Sequence, residues 1–277
     1  MEDGFYKAFT ERFRGSRDLI KERLTVYLPF LEPFSKTGDP VPVLDVGCGR
    51  GEWLEILREN GCEPHGVDLD EDMLAVCREL NLVVEKGDAL SALRALPNGS
   101  HALVSAIHVV EHLDFDQLRE LVEETLRVLV PGGLLIMETP NPENLFVSTQ
   151  DFYRDPTHRR PIPSQLLSFL PEHAGFDRVR IVRSQVRSRK TEKNFPSLND
   201  VFTGVSSDYA VVAQKRAAPE FMRHFDDAFQ KETGVTIEEL MRQFEERLST
   251  QGRSRLWRVV RWVKRRFAAV KKKDGAC

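Results

Sequence analysis

The sequence predicts an α/β fold in which a mostly parallel β-sheet carries helices on both faces and ends in an antiparallel hairpin. Between residues 41 and 140, short apolar segments alternate with amphipathic helical segments, the pattern of parallel strands joined by helices. Two later apolar segments, 177–186 and 208–216, flank a polar stretch and predict the edge hairpin. With 277 residues and 41% hydrophobic content, the chain can bury one large core or form one domain with an appendage.

The elements follow in order along the chain. Residues 5–34 are expected to be helical, interrupted at Gly15-Ser16 and ended by Pro29 and Pro33. The predicted strands are 41–47, 64–70, 82–88, one within 101–113, and 134–140, with helices at 52–61, 72–81, 115–133 and 163–175 and a largely helical stretch at 217–250. We therefore expect an N-terminal helical cap (1–34), a sheet domain (35–216) and a C-terminal helical extension (217–277).

Three glycines mark the first strand-to-helix turn, in the segment VLDVGCGRGEWL (43–54). Glycines at such a turn let the backbone bend sharply and approach a ligand closely. Asp45 precedes the turn, and Asp68 ends the second strand about 20 residues later, where an acid hydrogen-bonds ribose hydroxyls in nucleotide-binding folds. Simpler roles stay open for two acids: Asp45 could order its own loop, and Asp88 could be a turn residue.

Five motifs in this order resemble the class I S-adenosylmethionine (SAM) dependent methyltransferases over about residues 40–215. They are the loop 45–51, Asp68, Gly87-Asp88-Ala89, the segment from His108 to His112, and Pro131-Gly132-Gly133. The resemblance implies a Rossmann-like sheet, SAM as cofactor, the glycine loop beneath its methionine part and Asp68 at its ribose. The residues that it implies for SAM binding are Arg14, Asp45, Gly47, Cys48, Gly49, Gly51, Asp68, Leu69, Gly87, Asp88, Ala89 and His108.

The segment DFYRDPTHRRP (151–161) follows the fifth predicted strand and is the predicted acceptor site. The carboxyl ends of parallel strands form the ligand crevice of such sheets, and this segment is rich in groups that move protons or bind anions. A solvated charged loop, and a structural role for His112, are the alternatives. We expect catalytic roles for His158, His112, Tyr153 and Asp155, and acceptor binding by Arg154, His158, Arg159 and Arg160.

No metal ligand is predicted. The four cysteines show no paired spacing and no set of cysteine and histidine ligands typical of zinc, which argues against a structural zinc and fits a reducing cytoplasm. The segment MEDGFYKAFTERF at the amino terminus has no apolar region, so a signal peptide is not expected.

Three further segments, 13–31, 138–147 and 152–170, resemble the methyltransferase part of bacterial polysaccharide-associated enzymes, including O-antigen chain-terminating methyltransferases. This resemblance implies methyl transfer to a hydroxyl, or a phosphate, of a surface-polysaccharide glycan or lipid-linked precursor, with polysaccharide-assembly proteins as partners. It also places Arg14 at the SAM carboxylate. Nothing after residue 216 resembles a kinase domain, which puts phosphate in doubt. The alternatives are a methyltransferase acting on a quinone or other small metabolite, and a non-catalytic SAM-fold scaffold at the membrane.

The carboxyl-terminal tail has a charge of its own. Residues 253–277 carry ten basic residues and one acidic residue, whereas residues 1–252 carry 30 basic and 42 acidic residues. On a helical wheel, 253–273 shows an apolar stripe flanked by Trp257 and Trp262 with a basic opposite face, typical of a helix on an anionic membrane surface. We expect a cytoplasmic protein bound to the inner face of the membrane. Docking of the tail on the acidic body or on a protein partner is the alternative, and the regular apolar face disfavours nucleic acid.

Overall fold

The structure is a computed structural model that describes residues 12–13, 15–35, 41–183 and 196–249. Arg14, predicted to contact the SAM carboxylate, and the predicted membrane-surface helix 253–273 lie outside the described residues. Within the described ranges, no helix is both long enough and apolar enough to cross a bilayer. The membrane-surface role of the tail therefore stays a prediction.

One seven-stranded sheet organises the described chain. The strands are β1 (Val41–Val46), β2 (Cys62–Asp68), β3 (Val83–Lys86), β4 (His101–Ile107), β5 (Leu129–Pro140), β6 (Arg178–Arg183) and β7 (Asp208–Gln214). Their order is β3-β2-β1-β4-β5-β7-β6; β1 to β5 pair in parallel, whereas β7 is antiparallel to both β5 and β6. The predicted α/β fold, with its parallel sheet and antiparallel edge hairpin, is confirmed.

Helices connect the strands and cover both faces of the sheet. They are α1 (Arg17–Leu24), α2 (Leu28–Ser35), α3 (Glu52–Glu59), α4 (Glu71–Glu79), α5 (Ala89–Ala95), α6 (Phe115–Val128), α7 (Ser164–Ala174), α8 (Leu198–Thr203), α9 (Pro219–Arg223), α10 (Asp226–Gln230) and α11 (237–249). Local signals explain several of the ends. Asp114 and Gln117 form a capping box at the start of α6, and Gly175 ends α7 with a φ of 106°.

Several predicted boundaries need correction. The expected helical region before residue 35 is divided by a 3-10 turn at Thr25–Tyr27, and neither proline ends it. Pro29 lies in the first turn of α2, where no backbone N–H is needed, and α2 continues through Pro33 to Ser35. Strand β5 begins at Leu129 rather than at residue 134, so the Pro-Gly-Gly turn lies within the strand. Helices α5 and α8 were not predicted at all.

The two faces of the sheet bury separate cores. One core joins α1, α2 and α3 to the C-terminal helices α9 and α10, through aromatic contacts such as Phe30 with Phe229 and Phe34 with Phe225. The opposite core lies beneath α5, α6 and α7. The first core includes Tyr27, which is fully buried. On this face of the sheet, residues 17–35 reach the carboxyl ends of the parallel strands.

Candidate active site

The glycine loop after β1 has the backbone conformation that glycine permits. Gly47, Gly49 and Gly51 have φ angles of 71°, 53° and 78°, all in the left-handed region. A Cβ at Gly47 would lie 2.3 Å from the Cγ2 atom of Val109, so a side chain has no room there. The Gly47 N–H donates to the carbonyl of Val67 at 2.7 Å, which ties the loop to β2.

Two acids of the predicted SAM site support this loop. Asp45 is buried and accepts a hydrogen bond of 2.6 Å from the hydroxyl of Ser105. One carboxylate oxygen of Asp68 accepts from the Gly49 N–H at 2.8 Å, and the other accepts from the Asp70 N–H at 2.9 Å. Asp68 therefore fixes the loop whether or not it also contacts a ligand, and Asp45 joins the end of β1 to β4.

The remaining predicted SAM residues lie at the carboxyl ends of β2 and β3. Leu69 is 68% exposed, and the Gly87 N–H donates to the Asp68 carbonyl at 3.0 Å. Asp88 caps α5 by accepting from the Ser91 N–H at 2.9 Å, and this hydrogen bonding lowers the pKa of Asp88. Ala89 begins the same helix. This group lies beside the glycine loop, and its role in binding adenosine stays a prediction.

A cavity of about 270 Å³ lies where β1, β4 and β5 end and β7 begins. Predicted SAM residues and predicted acceptor residues meet in its lining: Asp45, Gly47, Cys48 and His108 on one side, and His112, Arg154, Asp155 and His158 on the other. The carboxylates of Asp45, Glu138 and Asp208 also face it, each at most 8% exposed. An anionic lining beside a glycine loop suits the positively charged sulfonium of SAM.

His108 lies among three carboxylates. Its Nδ1 atom is 3.2 Å from Oε1 of Glu111, and its Nε2 atom is 3.3 Å from Oε1 of Glu138 and 3.8 Å from Oδ1 of Asp208. Burial disfavours the imidazolium, but the hydrogen bonds to Glu111 and Glu138 and the charge of Asp208 raise the pKa of His108 well above its usual value. The three carboxylates therefore favour the positively charged form of His108. Its backbone φ of 57° is unusual for a residue with a side chain.

Residues from several elements of the fold donate hydrogen bonds to the acids around His108. The fully buried Tyr27 hydroxyl donates to Oε2 of Glu138, and the Thr139 hydroxyl donates to Oε2 of Glu111 at 3.0 Å. Burial, with the nearby charge of Glu138, raises the pKa of Asp208 to about 6. The cluster therefore links α1–α2, β5 and β7 at the base of the cavity.

The hydrogen bonds of two further histidines determine which nitrogen carries the proton. Nδ1 of His158 is 2.7 Å from the carbonyl of Phe152, which can only accept, so Nδ1–H donates and the neutral ring has its lone pair on Nε2. The Thr157 hydroxyl donates to Asp155 at 2.6 Å and so accepts from Nδ1 of His112 at 3.0 Å. Burial lowers the pKa of His112. In the neutral rings the lone pair therefore lies on Nε2, and the ring centroids are 4.8 Å apart.

The predicted acceptor segment divides into two groups. Arg154, Asp155 and His158 line the cavity, and the backbone N–H of Arg159 ties the segment to the carbonyl of Glu111 at 2.9 Å. Tyr153 is 65% exposed and packs on Phe152 instead. The side chain of Arg159 lies 3.8 Å from Asp114, and that of Arg160 lies over the ring of Phe115 at 5.1 Å. The structure does not bring Tyr153, Arg159 or Arg160 into the cavity lining.

Several residues of the site were not found from the sequence. The sequence does mark Glu138, because it is an acid within the apolar strand LLIMETP. It does not mark Tyr27 or Asp208, because their partners are remote in the chain. Arg17 was also missed: its guanidinium donates to the carbonyl of Arg50 at 2.6 Å and so ties α1 to the glycine loop.

Comparisons with known proteins agree with this geometry. Residues 16–181 match a family described as "Methyltransferase domain". A crystal structure of a SAM-dependent methyltransferase from Archaeoglobus fulgidus is 35% identical, superposes with a TM-score of 0.67, and covers 76% of this chain and 100% of that one. A probable SAM-dependent methyltransferase of Mycolicibacterium smegmatis is 34% identical over 135 residues, 49% of this chain and 51% of that protein.

The name of a third relative refers to ubiquinone biosynthesis. The ubiquinone biosynthesis O-methyltransferase of Methylococcus capsulatus is 32% identical over 103 residues, 35% of this chain and 43% of that protein. The chain spans about half the length of the curated relatives it matches.

Proposed function

Because the chain belongs to the class I SAM-dependent methyltransferases, we propose that it transfers the methyl group of SAM to a hydroxyl group of a polar acceptor. One observation carries this proposal: a single cavity joins the glycine loop to the basic Nε2 atom of His158. When bound, SAM supplies an electrophilic methyl group on a positively charged sulfur. Asp45, Gly47, Cys48 and His108 would hold it on their side of the cavity.

The protein contributes alignment and a proton acceptor. A neutral hydroxyl attacks a methyl group efficiently only if its proton is removed as the new carbon–oxygen bond forms. Nε2 of His158 is placed to take that proton, because its Nδ1 atom is already committed to the Phe152 carbonyl. The cavity walls also exclude water and hold the acceptor oxygen in line with the methyl group, which supplies much of the rate gain.

The acceptor we favour is a hydroxyl of a surface-polysaccharide glycan or of its lipid-linked precursor. The resemblance of segments 138–147 and 152–170 to polysaccharide-associated enzymes supports this choice, as do the charged groups of Arg154, Asp155 and His158 in the lining. A quinone precursor is the second candidate, because the cavity also has an apolar wall of Phe13, Ile20, Leu24 and Trp53 and because a relative is named for ubiquinone biosynthesis.

Product analysis tests the acceptor. Incubation with methyl-labelled SAM and three acceptor classes (oligosaccharides, lipid-linked saccharides and hydroxylated quinone precursors), followed by mass spectrometry, should label the saccharide classes. Labelling of the quinone class alone would replace the glycan proposal with the second candidate. Absence of SAM binding by calorimetry at millimolar SAM would instead favour the non-catalytic scaffold.

A matched pair of variants tests the proton acceptor. His158→Ala should lower turnover by about 100-fold or more, the typical contribution of a general base, and leave SAM affinity nearly unchanged. His173→Ala removes an exposed imidazole that packs on Phe169 outside the cavity and should be silent. Equal turnover in the two variants would remove His158 from the mechanism.

The tail proposal is tested separately. If residues 253–273 bind an anionic membrane surface, full-length protein should sediment with vesicles rich in phosphatidylglycerol at low salt, and truncation after residue 252 should abolish sedimentation. Full-length protein that stays in the supernatant under these conditions contradicts the membrane proposal, and docking on a protein partner then becomes the preferred explanation.

A further inference from the structure

We propose that Glu111, His112 and His158 bind a divalent metal ion on the acceptor side of the cavity. One ligand atom from each residue, a carboxylate oxygen or a ring nitrogen, lies within 4.8 Å of the other two. This inference departs from the absence of metal ligands expected from the sequence. Its catalytic consequence rests on the proposed function, but the binding itself does not.

The two histidines are oriented as metal ligands. A ligating imidazole usually donates its second N–H to a carbonyl, carboxylate or hydroxyl partner, which fixes the tautomer and the ring direction. Both rings have such a partner: the Phe152 carbonyl for His158, and the Thr157 hydroxyl for His112. The Thr157 hydroxyl is itself held by Asp155, at 2.6 Å. Both Nε2 atoms therefore keep their lone pairs for a ligand between them.

The carboxylate completes the set. Glu111 is fully buried, and its Oε1 atom lies 4.0 Å from Nε2 of His158. Adjacent ligands of a bound first-row ion are about 3 to 3.4 Å apart, so binding requires only a small inward movement of the side chains. The hydrogen bond from His108 to Oε1 of Glu111 leaves a second lone pair on that oxygen.

Charge also favours a cation at this place. Four carboxylates that are at most 8% exposed lie within one connected cluster, those of Glu111, Glu138, Asp155 and Asp208. Cations stabilise buried carboxylates, and two of these four, Glu111 and Asp155, have an oxygen about 4 Å from Nε2 of His158. A divalent ion held by Glu111, His112 and His158 would add positive charge beside these carboxylates.

The donor set indicates the kind of ion and its use. Two imidazoles and one carboxylate suit Mn²⁺, Fe²⁺ or Zn²⁺ and leave positions open for an acceptor oxygen. A hydroxyl bound to such an ion gives its proton to water more readily, and the oxygen then forms the bond to the methyl carbon as the carbon–sulfur bond breaks. In that case the Nε2 atom of His158 holds the ion rather than the proton.

The test measures binding first. EDTA-treated full-length protein is titrated with Mn²⁺ while electron paramagnetic resonance follows the free ion, and SAM affinity is measured by calorimetry on the same samples. One saturable Mn²⁺ site per chain is expected. The double variant His112→Ala/His158→Ala should lose it, and His173→Ala should keep it. Thr157→Val, which spares all three ligands, should weaken the site by about 10- to 100-fold, the usual effect of losing a ligand's hydrogen-bond partner.

Two outcomes would overturn the proposal. One is the absence of saturable binding of Mn²⁺ or Zn²⁺ at millimolar ion, and the other is equal binding by the wild type and the double variant. Activity then separates the two uses of His158. Loss of methyl transfer on chelation and its return with Mn²⁺ support the metal site, whereas full activity in EDTA overturns it and leaves His158 as the base. Loss of SAM binding would refute the proposed function without affecting the Mn²⁺ titration.

Discussion

Replacing Tyr27 by phenylalanine should destabilise the protein by about 2 to 3 kcal/mol. The Tyr27 side chain is fully buried, and its hydroxyl donates to Oε2 of Glu138, which is 4% exposed. The variant keeps the ring and its edge-to-face contact with Trp53 but leaves a buried carboxylate oxygen without its donor. Hydrogen bonds to charged groups contribute about 1.5 to 3 kcal/mol, and the loss of one that is fully buried belongs at the upper end.

A second tyrosine provides the matched control. Tyr209 is also fully buried, but its hydroxyl donates to a neutral acceptor, the carbonyl of Ile162, at 2.7 Å. Tyr209→Phe should therefore cost only about 1 kcal/mol, the typical net value for a neutral pair. Because burial and the charge of Glu138 raise the pKa of Tyr27, its hydroxyl remains a donor throughout the neutral range.

Urea unfolding followed by circular dichroism measures both effects. The midpoint should fall for both variants with an unchanged dependence on urea, and about twice as far for Tyr27→Phe as for Tyr209→Phe. If Tyr27→Phe is no less stable than Tyr209→Phe, the Glu138 carboxylate is not held as a charged acceptor at the base of the cavity. That result would refute a structural role for the hydrogen bond between Tyr27 and Glu138.

Three further predictions concern the SAM side. Gly47→Ala should lower the stability measured by thermal unfolding more than Gly61→Ala does, and it should also abolish SAM binding. Both glycines have a positive φ, which costs a residue with a side chain about 1 to 2 kcal/mol, but only Gly47 lacks space for a Cβ. Asp88→Ala removes the cap of α5 and should cost about 1 kcal/mol at pH 7 in urea unfolding. Since the folded pKa of Asp88 is lowered, the part of this difference that depends on its charge should be lost as the pH falls below the usual value of 3.8 and through the lowered pKa. Arg17→Ala should weaken SAM binding in calorimetry, because Arg17 supports the glycine loop, whereas Lys21→Ala, which breaks a surface pair with Glu59, should not.

The parallel half of the fold could be predicted because its signals are local. Apolar runs of strand length, each followed by an amphipathic segment, identify β1 to β5 without any knowledge of their neighbours. Helices α5 and α8 were missed because each spans only two turns or fewer, too short for a periodic pattern. Pro29 was misinterpreted because a proline in the first turn of a helix looks the same in sequence as one that ends a helix.

The site residues also divide into those with a local sequence signal and those without one. The glycine loop and Asp68 are close in sequence, and their spacing alone indicates a nucleotide-type site. The acid cluster joins residues far apart in the chain: Tyr27 meets Glu138 at a separation of 111 residues, and Thr157 meets His112 at a separation of 45. No local pattern encodes such pairs, because they exist only once the sheet brings the strand ends together.

The charge of the cavity also bears on how methyl transfer would be accelerated. The carboxylates of Asp45, Glu138 and Asp208 favour a positively charged sulfonium, and that charge disappears as the methyl group leaves and a neutral thioether forms. This attraction therefore stabilises the bound cofactor more than the transition state, and it cannot be the source of the rate gain. It does favour release of the neutral product over the cationic cofactor. In the proposed function the acceleration would come from the acceptor side of the cavity, where the Arg159 N–H joins segment 151–161 to the Glu111 carbonyl and the Phe152 carbonyl orients His158.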